Sequence, residues 1–362
     1  MAGKSKQTWK LDRNMSIIGE PLKGIKWQSP KPPMVVAGFA WYKKEGLFRR
    51  LPRRPNWKIN ENVDSLANST AGGQLLFRSD SKRIAIRVEL SGPAGMYHMP
   101  ATGQCGFDCY LGAPGRKIFA GTSRFDHSKT SYEHLFYEQA DRKLREITLN
   151  FPLYQGVKRV LIGTDPGSRL LSPSPYKNPG KIIFYGTSIT QGGCASRPGM
   201  AFTNILSRRF NHEIINLGFS GNGRGEPELA KLILEIENPA CYILDYEANC
   251  FSTELLKKTL PEFIKILRSR NPGIPLLVIS RIPWQHESAT QNRKDFGERR
   301  KFEKETVKRL KAAGDKRIYF LDGSNLLGAD SHECTVDGAH PTDLGFMRMA
   351  EKIGPVLKKI LL

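Results

Sequence analysis

The sequence predicts two parts of different fold class, an antiparallel β-sandwich followed by a three-layer αβα sandwich around a five-stranded parallel sheet. Short alternating runs separated by turn residues fill the chain up to about residue 170, and apolar strands then alternate with helical patterns. The segment SPSPYKNPG at 172–180 is rich in proline, serine and glycine and separates the two patterns. The chain of 362 residues suffices for two domains, which we place at 1–175 and 180–362.

The first part alternates apolar and polar residues with the period of a half-buried strand. The stretch QLLFRSDSKRIAIRVELSG at 74–92 does so on both sides of Ser79-Asp80-Ser81, which predicts a hairpin. Five further runs continue the pattern as strands: FDCYLG, KIFAGT, YEHLFYE, REITLNFP and KRVLIGT. Since no convincing amphipathic helix interrupts them, we expect a jelly-roll-like sandwich.

The second part alternates strands with helices. A run with helical spacing follows each of its five strand-like runs: KIIFYG, EIINLG, CYILDYE, PLLVISRI and RIYFLDG. Parallel strands joined by helices form a sheet that is covered on both faces, so a flavodoxin-like αβα sandwich is predicted. Ligands of such sheets bind at the carboxyl ends of the strands, and we therefore expect the site in the loops that follow them.

Charge, hydropathy and cysteine content limit the partners and the structural classes that are expected for this chain. The formal net charge is +21, but the basic residues are scattered and no nucleic-acid motif is present, so we expect no specific nucleic-acid partner. No apolar run is long enough to span a bilayer. Six cysteines without a CxxC pair do not make a disulfide scaffold, although a single bridge stays open.

The N-terminal residues MAGKSKQTWKLDRN are basic, and no apolar segment follows them as it would in a signal peptide. As the sequence stands, this predicts a cytoplasmic protein. A periplasmic or secreted protein stays open, because removal of a leader would leave the same pattern. The oligomeric state is not predicted.

Four loops at the predicted sheet edge contain the parts of an acyl-transfer site. Ser188 follows the first strand, Gly221 the second and Asn249 the third, while Asp337 and His340 follow the fifth. A serine hydroxyl becomes a good nucleophile when a base takes its proton, and His340 oriented by Asp337 suits that task. The candidate donors to an oxyanion are the backbone N–H groups of Ser188 and Gly221 and the side-chain amide of Asn249.

The loop after the fourth strand, RIPWQH, contains Arg281, Trp284 and His286. We predict substrate-binding roles for these three residues. Arginine suits an acidic substrate group, whereas tryptophan and histidine suit the lining of a pocket.

Other roles stay open for some of these residues. Ser188 would also suit a helix N-cap, Asn249 a turn, and Asp337 and His340 polar caps before the last helix. Cys194 is a rival nucleophile, but a buried inert thiol is the commoner state of a cysteine that has no base beside it in the sequence.

A zinc site is a further alternative near the end of the chain. His332, Cys334, Asp337 and His340 are ligand types that zinc prefers. No second cluster with ligand spacing accompanies them, and the serine mechanism explains the last two without a metal. We therefore predict neither a metal nor a cofactor.

The loops of the second part resemble the sequence blocks of SGNH (GDSL-type) hydrolases, which are named for their serine, glycine, asparagine and histidine. GTSIT at 186–190 resembles the first block, with Thr187 in place of the usual aspartate, and DGAH at 337–340 resembles the last. The second-block glycine falls on Gly221. The third-block asparagine falls on Asn249, where Glu247-Ala248 replaces the usual preceding glycine.

The first part extends this resemblance to nearly the whole chain. GFDCYLG at 106–112 is similar to the G-x-D-x-Y signature of a β-rich domain that precedes one branch of the family. GTSITQGG at 186–193 and the stretch at 336–346 also match that branch.

The resemblance implies a metal-independent serine esterase in which Ser188, Asp337 and His340 are catalytic. For substrate it suggests short acyl esters, with acetyl groups on carbohydrate favoured, by analogy with glycan-active enzymes that have an extra β-domain. Two alternatives stay open. One is a lysophospholipase or thioesterase of the same fold, and the other is an inactive domain that binds glycans or polyanions.

Overall fold

The computed structural model describes residues 22–53, 58–285 and 294–362, together with Asp12, Met15 and Ser16. The described residues form three sheets. Two are antiparallel and lie in the first part of the chain, and the third is parallel and lies in the second part.

The antiparallel sheets pack face to face as a β-sandwich, as predicted. Their strands within the described residues are β1 Lys26–Gln28, β2 Val35–Ala37, β3 Gln74–Ser79, β4 Arg83–Leu90, β5 Asp108–Leu111, β6 Ile118–Thr122, β7 Ser131–Glu138, β8 Arg145–Asn150, β9 Val157–Thr164 and β10 Leu170–Leu171. One sheet has the order β1-β9-β4-β7, and the other has the order β10-β3-β8-β5-β6, with β2 also paired to β3. Phe77, Ile86 and Leu149 belong to the apolar core that the two sheets share.

The predicted hairpin at 74–92 is wrong, because β3 and β4 lie in different sheets. The turn between them is held by neighbouring chain segments. The Asp80 carboxylate accepts hydrogen bonds from the backbone and the side chain of Arg169, both at 2.8 Å, and the Ser81 hydroxyl donates to Asp165 at 3.0 Å. Alternation of apolar residues predicts a buried face, but it does not distinguish a hairpin from a corner between two packed sheets.

Short helices interrupt the first part, where no helix was expected. They are α1 Tyr42–Glu45, α2 Glu61–Leu66 and α3 Ala101–Gln104. Helices of four to six residues are too short for a helical period to show in the sequence. The segment that contains α1 and α2 packs on the second part of the chain, since Trp41, Leu51 and Val63 belong to the apolar core beside the parallel sheet.

The parallel sheet has the predicted strands in a flavodoxin-like order. Its strands are β11 Lys181–Gly186, β12 Ile214–Gly218, β13 Pro239–Asp245, β14 Leu276–Ile279 and β15 Ile318–Leu321. They pair in the order β12-β11-β13-β14-β15, and every pairing is parallel.

Helices cover both faces of this sheet. In the described residues they are α4 Ser188–Gln191, α5 Phe202–Phe210, α6 Pro227–Ile233, α7 Thr253–Arg270, α8 Lys294–Ala312 and α9 Asp343–Leu361. Alternate residues of β11 point to opposite faces, as the period of a strand requires. Ile183 belongs to the core that contains residues of α6, α7 and α8, whereas Ile182 belongs to the core that contains residues of α5 and α9.

The polar segment predicted at 172–180 lies between the two parts. The sandwich ends with Leu171 in β10, and the parallel sheet begins with Lys181 in β11. The division into domains at 1–175 and 180–362 stays a prediction. All six cysteines are buried and unpaired. None of the helices in the described ranges has both the length and the apolar content that a membrane span needs.

Asp245, the last residue of β13, links protonation to the stability of the fold. Its carboxyl group is buried and accepts a hydrogen bond from Thr190 Oγ1 at 2.8 Å. Burial, together with the charge of Glu247, raises the pKa of Asp245 to about 7 against the opposing effect of the Thr190 hydrogen bond. The pKa of an aspartate in the unfolded chain is about 4. The contribution of the neutral Asp245 carboxyl group to stability is therefore fully present below about pH 4 and is lost as the pH rises to about 7.

We therefore expect Asp245→Asn to reduce the decline in the free energy of unfolding between about pH 4 and pH 7. Urea denaturation of wild type and variant across this range measures the difference. The neighbouring carboxyl groups of Glu247 and Glu303, whose pKa values burial also raises, add a slope of their own in both proteins. Equal slopes in the two proteins would contradict the prediction.

Candidate active site

Ser188 is the first residue of α4 and comes two residues after the end of β11. Thr187 caps this helix: its Oγ1 accepts a hydrogen bond from the Ile189 N–H at 3.1 Å, and its own N–H donates to Thr190 Oγ1 at 3.3 Å. Aspartate and threonine are both good N-caps, which explains how threonine can stand in the usual aspartate position. The cap role considered for Ser188 is thus filled by its neighbour.

The structure brings Ser188, His340 and Asp337 together in one hydrogen-bonded row. Ser188 Oγ lies 2.8 Å from His340 Nε2, and His340 Nδ1 lies 2.7 Å from Asp337 Oδ2. The serine comes from the loop after β11 and the other two from the turn before α9. Parallel topology places these chain ends at one edge of the sheet, as the sequence predicted.

A tight turn fixes the Asp337 carboxylate. Asp337 Oδ1 accepts hydrogen bonds from the N–H groups of Ala339 at 3.0 Å and His340 at 2.8 Å. Burial alone would raise the pKa of Asp337, but the hydrogen bonds from the backbone and the ring of His340 outweigh it and lower the pKa. An ionised Asp337 holds the imidazole proton on Nδ1, so Nε2 faces Ser188 Oγ as an acceptor.

The residue that caps α9 is Thr342, whose Oγ1 accepts a hydrogen bond from the Gly345 N–H at 3.4 Å. Asp337 and His340 therefore do not serve as its cap. The zinc alternative is not assembled either. Within the described residues, the side chains at metal-ligand separation are those of His98, Cys194 and His340, and the His332 side chain is 65% exposed.

The loops that contain the predicted oxyanion donors are linked by the backbone hydrogen bonds of Phe219. The Phe219 N–H donates to Gly186 O at 3.0 Å, and the Phe219 carbonyl accepts from Asn249 Nδ2 at 2.9 Å. Gly221 has φ +66°, and nothing lies within 4 Å of the position that a Cβ would take there. In the part of the chain that the structure describes, the N–H groups of Ser188 and Gly221 have no hydrogen-bond acceptor.

The residues predicted after the fourth strand are only partly accessible. Arg281 is 3% exposed, its Nε lies 3.3 Å from Glu247 Oε1, and its guanidinium packs on the Trp284 ring at 4.3 Å from the centroid. This placement does not favour a substrate-binding role for Arg281, and Trp284 is half-buried. His286 lies outside the described residues. Glu247, which replaces the usual glycine, also accepts a hydrogen bond from the Arg281 N–H at 2.8 Å.

Cys194 is a buried thiol rather than a nucleophile poised for attack. Burial, with a smaller effect from the charge of Asp337, raises the pKa of Cys194 to about 12. The sulfur is therefore protonated near neutral pH, and a thiol is a much weaker nucleophile than a thiolate.

Two side chains of the sandwich part reach the row, and sequence analysis missed both. Tyr154 Oη donates a hydrogen bond to the Ser188 carbonyl at 3.2 Å. The His98 ring packs edge-on against the His340 ring with centroids 5.5 Å apart, and His98 Nε2 lies 3.9 Å from Asp337 Oδ2. Both residues lie between strands, in segments that show no period or motif, so only the packing of the two parts reveals them.

Asp108, the aspartate of the G-x-D-x-Y signature, joins the two parts behind the site. It is fully buried, and its Oδ2 accepts hydrogen bonds from the Arg197 guanidinium at 3.0 Å and the Gly199 N–H at 2.7 Å. Asn150 Nδ2 donates to its other oxygen at 2.7 Å. Since Arg197 and Gly199 follow α4 in the chain, this carboxylate positions the segment that continues from Ser188.

Arg50 supports the loop that contains Gly221. Its guanidinium donates to the carbonyls of Gly218 and Ser69 and lies 4.8 Å from the centre of the Phe219 ring. Burial lowers the pKa of Arg50 to about 9, which still leaves it charged at neutral pH. Residues of the first part of the chain thus contact both the segment that follows Ser188 and the loop that contains Gly221.

Comparison with known proteins agrees with this architecture. Residues 179–358 match the GDSL-like Lipase/Acylhydrolase family, and residues 25–170 match the N-terminus of Esterase_SGNH_hydro-type proteins. A protein from Bacteroides ovatus ATCC 8483, described as a GDSL-like lipase, is 31% identical; the match covers 93% of this chain and 98% of that one, with a TM-score of 0.85. The chain therefore belongs to the GDSL-like lipase/acylhydrolase family and is a carboxylic ester hydrolase.

More distant structures share the fold alone. A salicylyl-acyltransferase from a tetracycline biosynthetic pathway is 18% identical, with a TM-score of 0.74 over 94% of this chain and 100% of that one. A family two carbohydrate esterase from Clostridium thermocellum, in complex with cellohexaose, is 15% identical, with a TM-score of 0.58 over 80% and 93% of the two chains. A search of curated proteins gives no match.

The buried contact of Asp108 predicts a large effect on stability. Asp108→Asn leaves the Arg197 guanidinium, whose side chain is 18% exposed, without its counter-charge. Removing one partner of a buried ion pair costs about 3–5 kcal/mol in the free energy of unfolding, and denaturant unfolding measures the loss.

The matched control is Glu133→Gln, which removes the carboxylate paired with Arg87 at 2.7 Å, where the side chains are 35% and 45% exposed. An exposed pair contributes less than about 1 kcal/mol. Similar losses in both variants would mean that Asp108 does not hold the two parts together.

Proposed function

We propose that this protein is a serine esterase that removes short acyl groups, chiefly acetyl groups on carbohydrate, through an acyl-enzyme on Ser188. The observation that carries the proposal is the row in which Ser188 Oγ lies 2.8 Å from His340 Nε2 and His340 Nδ1 lies 2.7 Å from Asp337 Oδ2. A nucleophile, a base and a group that orients the base at hydrogen-bond distances are the arrangement that serine acyl transfer requires.

Acylation begins when Ser188 Oγ attacks the ester carbonyl carbon and His340 Nε2 accepts the hydroxyl proton. Asp337 stabilises the imidazolium that forms. The tetrahedral intermediate then collapses, the bond to the alcohol oxygen breaks, and His340 returns the proton to the leaving alcohol. Water attacks the acyl-enzyme in the second half, with His340 again as base, and releases the carboxylic acid and free Ser188.

The negative charge on the carbonyl oxygen is stabilised by donors that are already in place. The N–H groups of Ser188 and Gly221 have no acceptor within the described residues, and the Asn249 amide keeps one hydrogen after binding Phe219 O. Preorganised donors stabilise the transition state because they need no reorientation as the charge develops.

The surroundings of the row support a bulky, sugar-bearing alcohol. The side chains of Asp337 and His340 are 22% and 25% exposed, so the row lies near the surface, where a polymer chain has access. Tyr97 is 92% exposed and stacks on the His98 ring with centroids 4.5 Å apart. It offers an aromatic face for the apolar side of a sugar ring beside the row. Carbohydrate esterases among the proteins of similar fold support the same choice.

The first experiment compares p-nitrophenyl acetate, butyrate and octanoate as substrates of the wild type and of Ser188→Ala. We expect acetate to be preferred, and the variant to lose at least about 10³-fold in kcat because the nucleophile is gone. Release of acetate from acetylated oligosaccharides then tests the sugar. Preference for octanoate would favour the lysophospholipase alternative, and equal rates in a folded variant would overturn the mechanism.

A second prediction concerns the asparagine of the oxyanion site. Asn249→Ala should lower kcat for the acetate ester by about 10²–10³-fold, since it removes one donor to the developing charge. The control is Asn271→Ala, which also removes one side-chain amide, bound to Tyr242 Oη at 2.9 Å beyond the C-terminus of α7. Comparable losses of kcat in both variants would count against a role for Asn249 in catalysis.

A further inference from the structure

Three potential metal ligands lie close together, and one of them belongs to the serine row. His98 from the sandwich, Cys194 from the segment after α4 and His340 each offer one ligand atom, and these atoms lie within 4.8 Å of one another. Two imidazole nitrogens and one thiolate sulfur form a ligand set that Zn²⁺ binds tightly. Ligands around one tetrahedral zinc ion lie roughly 3.3–3.6 Å apart, given bond lengths of about 2.0–2.3 Å. The three atoms would have to approach one another by up to about 1 Å to reach these separations.

The state of His98 and Cys194 supports a ligand-binding role independently of this spacing. His98 Nδ1 is buried and has no hydrogen-bond partner among the described residues, although a buried imidazole nitrogen normally has one. Cys194 has φ +73°, a conformation that residues other than glycine rarely adopt and that often marks a functional position. Neither feature has a part in the esterase mechanism.

The surrounding charge also suits a divalent cation. Asp337 Oδ2 lies 3.9 Å from His98 Nε2 and 2.7 Å from His340 Nδ1. A carboxylate behind a ligating histidine orients the ring and raises its basicity, an arrangement that recurs in metal sites. Once the Cys194 proton has left to solvent, the thiolate and the Asp337 carboxylate together balance the charge of a divalent ion.

We propose that His98, Cys194 and His340 form an inhibitory binding site for a thiophilic divalent transition-metal ion such as Zn²⁺. The ion takes the lone pair of His340 Nε2, which is the pair that would accept the Ser188 proton, and so removes the base. Metal ligation does not depend on the proposed esterase function, whereas inhibition does. Metal availability would then regulate hydrolysis at the same residues that perform it.

Ligation is tested by adding Co²⁺ to the full-length wild-type protein and recording near-ultraviolet absorption. We expect a sulfur-to-cobalt charge-transfer band that saturates at one equivalent. The band should disappear in Cys194→Ala and Cys194→Ser and persist in Cys241→Ala, which removes another buried cysteine in the middle of the sheet region. Absence of the band in wild type, or its persistence in both folded Cys194 variants, would overturn the proposal.

Inhibition is tested with Zn²⁺ on p-nitrophenyl acetate hydrolysis, with each variant compared to its own metal-free rate. Wild type and Cys241→Ala should be inhibited and restored by a chelator. His98→Gln and Cys194→Ala should need at least about tenfold more Zn²⁺, because each lacks one ligand. Equal inhibition of all variants would overturn the site. A cobalt band in a protein without metal-free esterase activity would support ligation and overturn the inhibitory role.

Discussion

The buried carboxylate of Asp108 is the interaction on which the arrangement of the two parts depends. It accepts hydrogen bonds from Asn150 in its own sheet and from Arg197 and Gly199 in the segment that follows Ser188. Because an unpaired buried charge costs several kcal/mol, the sandwich is bound to a fixed position against this segment. The same position brings Tyr154 to the Ser188 carbonyl and His98 to the His340 ring. The sandwich therefore forms one wall of the site.

The second part could be predicted from its sequence because its periodic signals are long and consistent. The run TELLKKTLPEFIKILRSR, which has helical spacing and follows the third apolar run, corresponds to α7 from end to end, and each of the five apolar runs overlaps a strand. The first part was harder, because alternation reports which residues face a core and not which strand pairs with which. For this reason the strands on either side of Asp80 were predicted correctly while their pairing as a hairpin was wrong.

The residues of the site also differ in whether the sequence could predict their positions. Ser188, Asp337 and His340 could be predicted to meet because each follows a strand of a parallel sheet, and topology alone brings such positions together. His98 could not be predicted, since its position depends on how the sandwich packs against the sheet. Arg281 shows a different limit. Its positive charge after a strand suggested that it binds an acidic group of the substrate, but the carboxylate that pairs with Arg281 is that of Glu247, inside the protein.

The packing of Trp41, Leu51 and Val63 against the parallel sheet has a consequence for the order of events during synthesis. These side chains leave the ribosome more than a hundred residues before β11, the first strand of the sheet whose core they join. Their apolar surface therefore stays uncovered, or is held by a chaperone, while the rest of the sandwich is being made. The parallel sheet, in turn, can complete this apolar core only when the segment that contains Trp41, Leu51 and Val63 packs against it.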